Sequence, residues 1–422
     1  MPGPLLPILG PLLPALLIFL GLRRWPIAAG ISGFLVTLLL RFMLAAVPPG
    51  APRAATGEYL FSGNEFHFLG RSLLLTETLH STLLLIFTGA ALLFLLSALW
   101  PQGPDFVPAG LAALSPLSFA LQVEPFTFGA LGLLIAVALA VPMIQSGKPR
   151  RTGAAFRYLS LLALSVPPLL VAGWMLDSQQ LVLAGSVRRL LALGMLLLLA
   201  GFPFHLWIRP VLAQARPLVA VYVLALAPLA AITFGWHLLG RYPTIQQGGQ
   251  FNTLLAWSGA ASALVAMFLA LDSRRPRRLL AYLLLADVGA VILAFSAGAA
   301  GIEATTAIHV ARFASLTLAC IGLMLWQPPS AMLPGGVLSS ASHPRWGRAL
   351  FIFGALSLAG APLTLGFAGR WAAVSISVER SFLLGLLLLL ATAGASIAVI
   401  RAALPGHDEA VAEGQNPRPL AG

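Results

Sequence analysis

The sequence predicts an all-α membrane protein, a polytopic bundle of about thirteen transmembrane helices. Of its 422 residues, 59% are hydrophobic and only 9% are charged, whereas a soluble domain carries about 25% charged residues. The charged residues form short clusters between apolar runs, and these runs reach the roughly 20 residues that a helix needs to cross a bilayer. Runs such as LLLLLATAGASIAVI do not alternate as the strands of a transmembrane β-barrel do. Helices are therefore predicted, and a soluble fold is excluded.

The apolar runs divide the chain into its predicted spans. They start near residues 4, 27, 81, 105, 126, 158, 190, 217, 253, 279, 304, 348 and 382. The run near 105 is short and contains Pro108 and Pro116, which fits either a kinked span or a re-entrant segment. Within the amino-terminal part, 1–100, residues 48–80 form a polar insertion, and residues 404–422 form a polar tail. The amino terminus has no positive region before its apolar core, so we interpret it as a membrane helix rather than a signal peptide.

Basic residues in the loops predict the orientation of the bundle. One set of alternate loops is rich in them: Arg23, Arg24, Lys148, Arg150, Arg151, Arg157, Arg209, Arg216, Arg274, Arg275, Arg277, Arg278, Arg345 and Arg348. The other set carries fewer: Arg53, Arg71, Arg188, Arg189, Arg241, Arg370 and Arg380. By the positive-inside rule, the first set faces the cytoplasm, the amino terminus lies outside and the carboxyl terminus inside. The net charge of +12 is thus interpreted as a topology signal, and no nucleic-acid partner is predicted.

The sequence contains no motif that indicates a cofactor or metal site. The single cysteine, Cys320, lies inside an apolar run, so it is interpreted as a packing residue. HExxH, P-loop and CxxC patterns are absent, as is a GxGxxG leading into a helix. We therefore expect no cofactor, no metal site and no catalytic centre within the chain.

The segment GFPFHLWIRPVLAQARPLVAVYVLALAP predicts discontinuous helices. It places Pro203, Pro210 and Pro217 in or beside apolar helices. Each proline removes a backbone donor and blocks helical bonding one turn back, so the freed carbonyls need partners inside the membrane. Transporters use such breaks to place polar groups at mid-depth. His205 sits at this break, where a structural role and a functional one are both open.

The same segment resembles the PFH-x-W break of the antiporter-like proton-channel subunits of respiratory complex I, a family related to the Mrp antiporters. Three further segments agree with that family in order and spacing: RRTGAAFRY at 150–158, RRLLAYLLLADVGAVI, and LSLAGAPLTLGFAGRW at 356–371, which contains Pro362. The last two resemble the family's KRLLxYSSIxHxG and LSLAGIPPTxGFxGKF, and the N-type subunit is the closest variant. The four matches span about residues 126–403.

The resemblance implies two inverted five-helix repeats with discontinuous helices, at residues 105–240 and 253–403. It also implies a row of buried Lys, Glu and His residues that relays protons, and no redox centre. The expected partners are the lipid bilayer and other membrane subunits of a respiratory or related complex. The expected location is a prokaryotic cell membrane.

Much of the family's relay is missing from this sequence. The positions of the family's fifth-helix glutamate and of its seventh- and eighth-helix lysines are occupied by Gly132, Leu198 and Pro228. Residues 126–145, 158–175 and 190–202 contain no Asp, Glu, Lys, Arg or His, so a small register error cannot restore the relay. We therefore predict that the first half of the bundle, the repeat at residues 105–240, contains no water path. Leu, Ala and Phe side chains should fill it, and His205 should be hydrogen-bonded locally at the break.

The second half keeps ionisable residues in apolar surroundings. The family's histidine and twelfth-helix lysine correspond to Asp287 and Arg370. His309 and Arg312 share a helix face at i, i+3, which could meet Asp287 or Glu303. A charge-compensated packing contact and a residual ion path both fit this pattern. Arg41, alone in the second span, is predicted to contact another subunit or a lipid headgroup.

Three functions follow as hypotheses. The first is a diverged, mainly structural antiporter-like subunit of a redox-driven ion-pumping assembly. The second is a subunit that still conducts through Asp287, His309 and Arg370. The third is a stand-alone transporter, or an accessory subunit of another membrane complex.

Overall fold

A computed structural model of the protein describes residues 3–47, 65–68, 70–146, 152–177, 184–246, 249–326 and 344–403. The predicted tail at 404–422 lies outside these residues. So do Lys148, Arg150, Arg151 and most of the 48–80 insertion, including Arg53.

Fifteen helices make up the described part of the chain. They are α1 (Gly3–Leu22), α2 (Pro26–Ala45), α3 (Glu77–Leu99), α4 (Phe106–Gln122), α5 (Thr127–Gln145), α6 (Gly153–Leu176), α7 (Ala184–Leu198), α8 (Ile208–Gln214), α9 (Pro217–Arg241), α10 (Gln250–Leu271), α11 (Pro276–Phe295), α12 (Ile302–Trp326), α13 (Pro344–Ala359), α14 (Leu365–Arg380) and α15 (Phe382–Ala403). Each predicted span coincides with one helix, except that α7–α8 and α13–α14 each form one interrupted span. Ten of the spans are long and apolar enough to cross a membrane.

The uncertain span near residue 105 is a complete helix. In α4, Pro108 lies in the first turn, where its missing N–H is not needed, and Pro116 lies inside the helix. The helix has 17 residues, which corresponds to about 25 Å at 1.5 Å per residue. Nearly all of its side chains are buried, so α4 is surrounded by other helices and is not a surface segment.

Contacts between connecting segments place alternate connections at opposite ends of the bundle. At one end, Arg23 Nη2 lies 2.9 Å from Asp105 Oδ1. There too, Arg216 donates to the Pro101 carbonyl at 2.8 Å. At the other end, Arg188 donates to the Thr244 carbonyl at 3.2 Å. These contacts bring the α1–α2, α3–α4 and α8–α9 connections together at one end and the α6–α7 and α9–α10 connections together at the other.

A small antiparallel sheet lies at that second end. Its strands are β1 (Glu65–Phe68), β2 (Arg71–Leu74) and β3 (Val123–Glu124), in the order β1-β2-β3. The pairing of Ser72 with Glu124 joins the polar insertion to the α4–α5 connection. The contact of Glu124 with His237, whose Nε2 lies 3.7 Å from Oε1, holds the pKa of Glu124 below its usual value despite partial burial. The sequence did not predict this sheet, because strands of two to four residues are too short for a periodic pattern.

Candidate functional site

The first helix break follows α7, which ends at Leu198. Ala200 adopts a positive φ of 60°, an uncommon conformation for a residue with a Cβ, and the chain turns before α8. Two serines of α10 take over the backbone hydrogen bonds there. Phe202 N–H donates to Ser262 Oγ at 2.8 Å, and Ser258 Oγ donates to the Phe202 carbonyl at 2.7 Å. The discontinuous helix predicted at Pro203 is therefore present, and its freed backbone groups have hydroxyl partners.

The other two prolines of this segment begin helices instead of breaking them. Pro210 lies in the first turn of α8, and Pro217 is the first residue of α9. Neither position needs a backbone N–H, because the first four N–H groups of a helix have no partner within it. Pro217 still lies at an interruption, because α8 ends at Gln214 and α9 begins at Pro217, whereas the break predicted at Pro210 is absent.

Ser262→Ala should destabilise the first break. The substitution leaves the part-buried Phe202 N–H without its acceptor, and a fully buried unsatisfied donor costs about 1–3 kcal/mol. We expect a lower thermal unfolding midpoint for the purified protein. Ser396→Ala is the matched control, since the Ser396 hydroxyl bonds only to a carbonyl of its own helix. Equal midpoints for the two variants would show that Ser262 does not support the break.

His205 packs against the break without a bond at Nδ1. Its ring stacks on Phe202 with centroids 5.9 Å apart and an interplanar angle of 20°. Its Nδ1 is buried and has no hydrogen-bond partner. The predicted local hydrogen bond is thus absent at Nδ1, and ring stacking positions the side chain instead.

The second break, between Ala359 and Leu365, resembles the first in its backbone conformation and in its hydrogen bonds to serine. Leu363 has a positive φ of 64°, and Leu363 and Ala200 are the only non-glycine residues with positive φ in the described part of the chain. A serine hydroxyl is again the hydrogen-bond partner of a backbone group, since Gly366 N–H donates to Ser357 Oγ at 3.2 Å. Ser357 Oγ also accepts from Ser315 Oγ of α12 at 2.7 Å. The break predicted at Pro362 is present.

Asp287 lies between two arginines beside this second break. Its Oδ2 accepts a hydrogen bond from Arg312 Nε, and its Oδ1 accepts from Arg370 Nη2 at 3.1 Å. Asp287, Arg312 and Arg370 are 4%, 2% and 3% exposed. One carboxylate thus joins α11, α12 and α14 in the interior of the bundle.

Arg370 has further acceptors in the backbone. It donates to the Ala286 carbonyl at 2.9 Å and to the Leu358 carbonyl at 3.0 Å. Leu358 lies in the last turn of α13, whose carbonyl end carries partial negative charge and favours a cation. The sequence could not reveal these two carbonyl partners, because every residue has a carbonyl and only the fold decides which ones face the guanidinium.

His309 lies next to this network and is 1% exposed. Its Nδ1 is 2.8 Å from the Thr305 carbonyl, which can only accept, so Nδ1 carries the proton and Nε2 is the acceptor. His309 Nε2 and Arg312 Nη2 are both buried without partners. The helix face predicted from His309 and Arg312 does meet Asp287. Glu303 is exposed in the first turn of α12 and takes no part in these contacts.

In the first half, Gly132, Leu198 and Pro228 occupy the positions of the family's relay residues and lie among mostly apolar side chains. A Cβ added to Gly132 would lie 3.0 Å from the Pro116 carbonyl and 3.0 Å from Ala120 Cβ, so a longer side chain there would clash with α4. Leu198 and Pro228 line a cavity of about 40 Å³. Most of the lining side chains are apolar, but Tyr158, Tyr222 and Trp207 also line the cavity, so the predicted filling by Leu, Ala and Phe side chains is wrong at this point.

The backbone of α9 is irregular where the cavity lies. Tyr222–Leu226 form a π-helical turn just before Pro228. A proline cannot donate to the carbonyl four residues back and its ring would clash with it, so the wider π turn accommodates Pro228. The Tyr222 hydroxyl donates to the Gly110 carbonyl at 2.8 Å, which ties this turn to α4.

Cys320 and Arg41 are two further residues that the sequence singles out within the spans. Cys320 is buried and carries a free thiol. Arg41 Nε donates to Thr88 Oγ1 of α3 at 3.2 Å. Within the described residues, no group of three or more His, Cys, Asp or Glu side chains is arranged to hold a metal ion.

Comparison with known proteins finds similarity over most of the chain. The profile of the family described as "NADH:quinone oxidoreductase/Mrp antiporter, TM" matches residues 126–396. The chain is 30% identical over 216 residues to NADH-quinone oxidoreductase subunit N of Chromohalobacter salexigens, a match that covers 48% of this chain and 44% of that protein. For subunit N of Rhodopseudomonas palustris the identity is 28% over 354 residues, which cover 81% of this chain and 73% of that protein. The chain thus spans about half the length of the first relative and more of the second.

Solved structures share the fold. A chain of respiratory complex I from Thermus thermophilus superposes with a TM-score of 0.66 at 22% identity, covering 97% of this chain and 92% of that chain. A chain of the Mrp complex from Dietzia superposes with a TM-score of 0.72 at 15% identity, covering 95% of this chain and 79% of that chain. At these identities the likeness concerns the fold.

Proposed function

The chain belongs to the NADH:quinone oxidoreductase/Mrp antiporter transmembrane family, and from this membership we propose that it is a membrane subunit of a redox-driven assembly that moves protons or other cations. Its similarity to NADH-quinone oxidoreductase subunit N supports this proposal. So does its fold likeness to a chain of respiratory complex I. In this function the electron-transfer chemistry belongs to other subunits, and the partners of this chain are neighbouring membrane subunits.

Within such an assembly, the subunit is mainly structural. The observation that carries this proposal is the set of side chains found in the two halves of the bundle. The first has a cavity at Leu198 and Pro228 whose lining contains no Asp, Glu, Lys, Arg or His. In the second, Asp287 is held by Arg312 and Arg370. A relay group must gain and lose a proton at the working pH, and arginine does not, so the described residues contain no continuous path of switchable groups.

The ionic contacts have a structural role in this proposal. Removing charges from water is costly, and the cost is offset only where hydrogen bonds satisfy the buried groups. Asp287 and Arg370 meet this condition through carboxylate and carbonyl contacts at the second break. The network thus stabilises an interrupted helix that would otherwise expose its carbonyls.

A residual ion path through the second half is the alternative function. The observation that favours it is the pair of buried, unpartnered atoms His309 Nε2 and Arg312 Nη2, because a neutral imidazole can take up a proton at Nε2. The decisive experiment is purification of the chain from its native membrane, identification of its neighbours, and measurement of ion flux in vesicles for wild type and His309→Gln. Flux that depends on His309 would favour the alternative. Absence of other membrane subunits would favour a stand-alone transporter.

His205→Ala should reduce assembly more than ion flux. The substitution removes a ring that stacks on Phe202 at the break, and such aromatic contacts contribute about 0.5–1.5 kcal/mol. We expect less assembled complex, with unchanged pumping per assembled complex, and the same behaviour for Phe202→Leu. The measurement is pumping by reconstituted complexes at matched protein content. If pumping disappeared on His205→Ala while assembly stayed intact, the first half would be a working channel.

The orientation of the bundle is also a proposal. The connection between α10 and α11 contains Arg274 and Arg275, with Arg277 and Arg278 in the first turn of α11. It should face the cytoplasm, with the amino terminus outside and the carboxyl terminus inside. A reporter fused after Arg278 is expected to be active in the cytoplasm. Activity on the outer side instead would invert the whole assignment, since alternate connections lie at opposite ends.

A further inference from the structure

The second helix break is uncovered on the surface of the bundle. Leu363, at its centre, is 99% exposed, the highest value among the large hydrophobic residues of the described chain, and Leu365 is 59% exposed. These values refer to whole residues, so the backbone of Leu363 is uncovered together with its side chain. At the first break, in contrast, both backbone groups of Phe202 have serine partners.

Contacts with the ionic network place this break near the middle of the membrane. Arg370, in the second turn of α14, donates both to Asp287 and to the Leu358 carbonyl at the end of α13. Asp287 lies near the midpoint of α11, a helix of 20 residues. Such a helix is about 30 Å long, which is the thickness of the hydrocarbon core. The non-helical residues beside Leu358 therefore lie within the hydrocarbon region.

Irregular backbone at this depth requires a cover. Lipid offers no hydrogen-bond partner, and non-helical backbone occurs within a membrane only where protein buries it or where it lines a water-filled cavity. Neighbouring helices and their side chains can supply the missing partners.

An open groove of about 580 Å³ lies beside the break. One wall is formed by α12 from Ile302 to Ala314, a length of about 18 Å, and the other includes Leu365 of α14. Beyond Glu303 and Thr306 the lining consists of Ala, Ile, Leu and Val side chains. The Thr306 hydroxyl donates to the carbonyl of Ile302 in its own helix. The groove thus offers contact to an apolar partner along three turns, and its alanines allow a helix to approach closely.

One end of this groove carries a negative charge. Glu303 lies in the first turn of α12 and is exposed. Within the described residues its carboxylate forms no ion pair. A carboxylate that a partner covers in an apolar interface is costly unless a cation compensates it.

We propose that a transmembrane helix of a neighbouring subunit occupies this groove, covers the second break and places a Lys or Arg side chain beside Glu303. This inference rests on the proposed function, because the helix comes from another subunit of the same assembly. A lipid chain could fill the groove, but it could provide neither the cation nor partners for the backbone at Leu363.

Photo-cross-linking in native membranes tests this surface. A benzophenone amino acid is introduced at Val310 or at Leu363, two exposed positions on either side of the groove. Both should cross-link to the same membrane polypeptide, different from this chain, within one of its transmembrane segments. The same amino acid at Phe268 is the control, because Phe268 is exposed on the uninterrupted helix α10 and should not yield this adduct.

Charge reversal tests the expected cation. Glu303→Lys should lower the cross-linking yield from Val310 severalfold, whereas Glu303→Asp should retain most of it. Because Glu303 is exposed, the Lys variant should still fold, and thermal unfolding of the purified chain checks this. A yield that Glu303→Lys leaves unchanged would overturn the proposal.

The remaining outcomes separate this surface from the proposed function. Cross-links to lipid alone, to a second copy of this chain, or in equal yield from Phe268 would each overturn the proposed contact. So would labelling of Leu363→Cys by a charged maleimide in the intact assembly, which would show a water-filled cleft. If other membrane subunits co-purify with the chain but do not contact Val310 or Leu363, this surface is wrong and the proposed function stands. A chain that purifies alone would contradict both.

Discussion

Asp287→Asn is expected to lower the free energy of unfolding by about 3–5 kcal/mol, the cost of removing one partner of a buried ion pair. The substitution leaves the guanidinium groups of Arg312 and Arg370 without a counter-charge, and both are almost completely buried. Asn keeps only one acceptor oxygen, so one of the two arginines also loses its side-chain acceptor, while Arg370 keeps its carbonyl acceptors. Little folded protein should therefore reach the membrane.

The effect can be separated from a general loss of negative charge. Thermal unfolding of detergent-purified protein is compared for Asp287→Asn and Glu303→Gln, since Glu303 is exposed and outside the network. Glu303→Gln should behave like wild type. Adding Arg312→Gln to Asp287→Asn removes one of the two uncompensated charges and should recover part of the stability. Identical unfolding of all variants and wild type would contradict the assigned contacts.

Leu198→Lys is expected to destabilise the protein by several kcal/mol, because it places an ammonium group in an apolar cavity without a carboxylate partner. It should not create ion flux, since the neighbouring segments 126–145, 158–175 and 190–202 contain no ionisable partner of the Asp, Glu, Lys, Arg or His type. Gly132→Glu should not rescue the variant, because its side chain would meet the Pro116 carbonyl of α4.

Leu198→Met is the control for this experiment. It keeps the volume and the apolar character, and such exchanges usually cost less than about 1.5 kcal/mol. Unfolding midpoints and proton uptake by vesicles are measured for both variants beside wild type. A Leu198→Lys protein that is as stable as Leu198→Met and that conducts protons would show that the first half is hydrated, against the proposed structural role.

The two helix breaks could be predicted from the local sequence, but their hydrogen-bond partners could not. Proline at 203 and 362 predicted both interruptions, because a proline inside an apolar run removes a hydrogen bond wherever it occurs. The chain alone did not indicate how the interruptions are supported. Ser258 and Ser262 lie 56 and 60 residues beyond Phe202, and nothing local distinguishes them from Ser396, which bonds within its own helix.

The sequence by itself determined the properties that depend on residue type. These are the apolar spans, the two breaks and the absence of Asp, Glu, Lys, Arg and His from residues 126–145, 158–175 and 190–202. Only the tertiary structure decided which charges meet, because a contact depends on how helices distant in sequence pack. Asp287 is 25 residues from Arg312 and 83 from Arg370, yet it bonds to both. Glu303 lies on the same helix as Arg312, but it is exposed because it occupies another face. The cavity at Leu198 and Pro228 likewise arises only in the fold, since unfilled space belongs to the walls of several helices and not to any single segment.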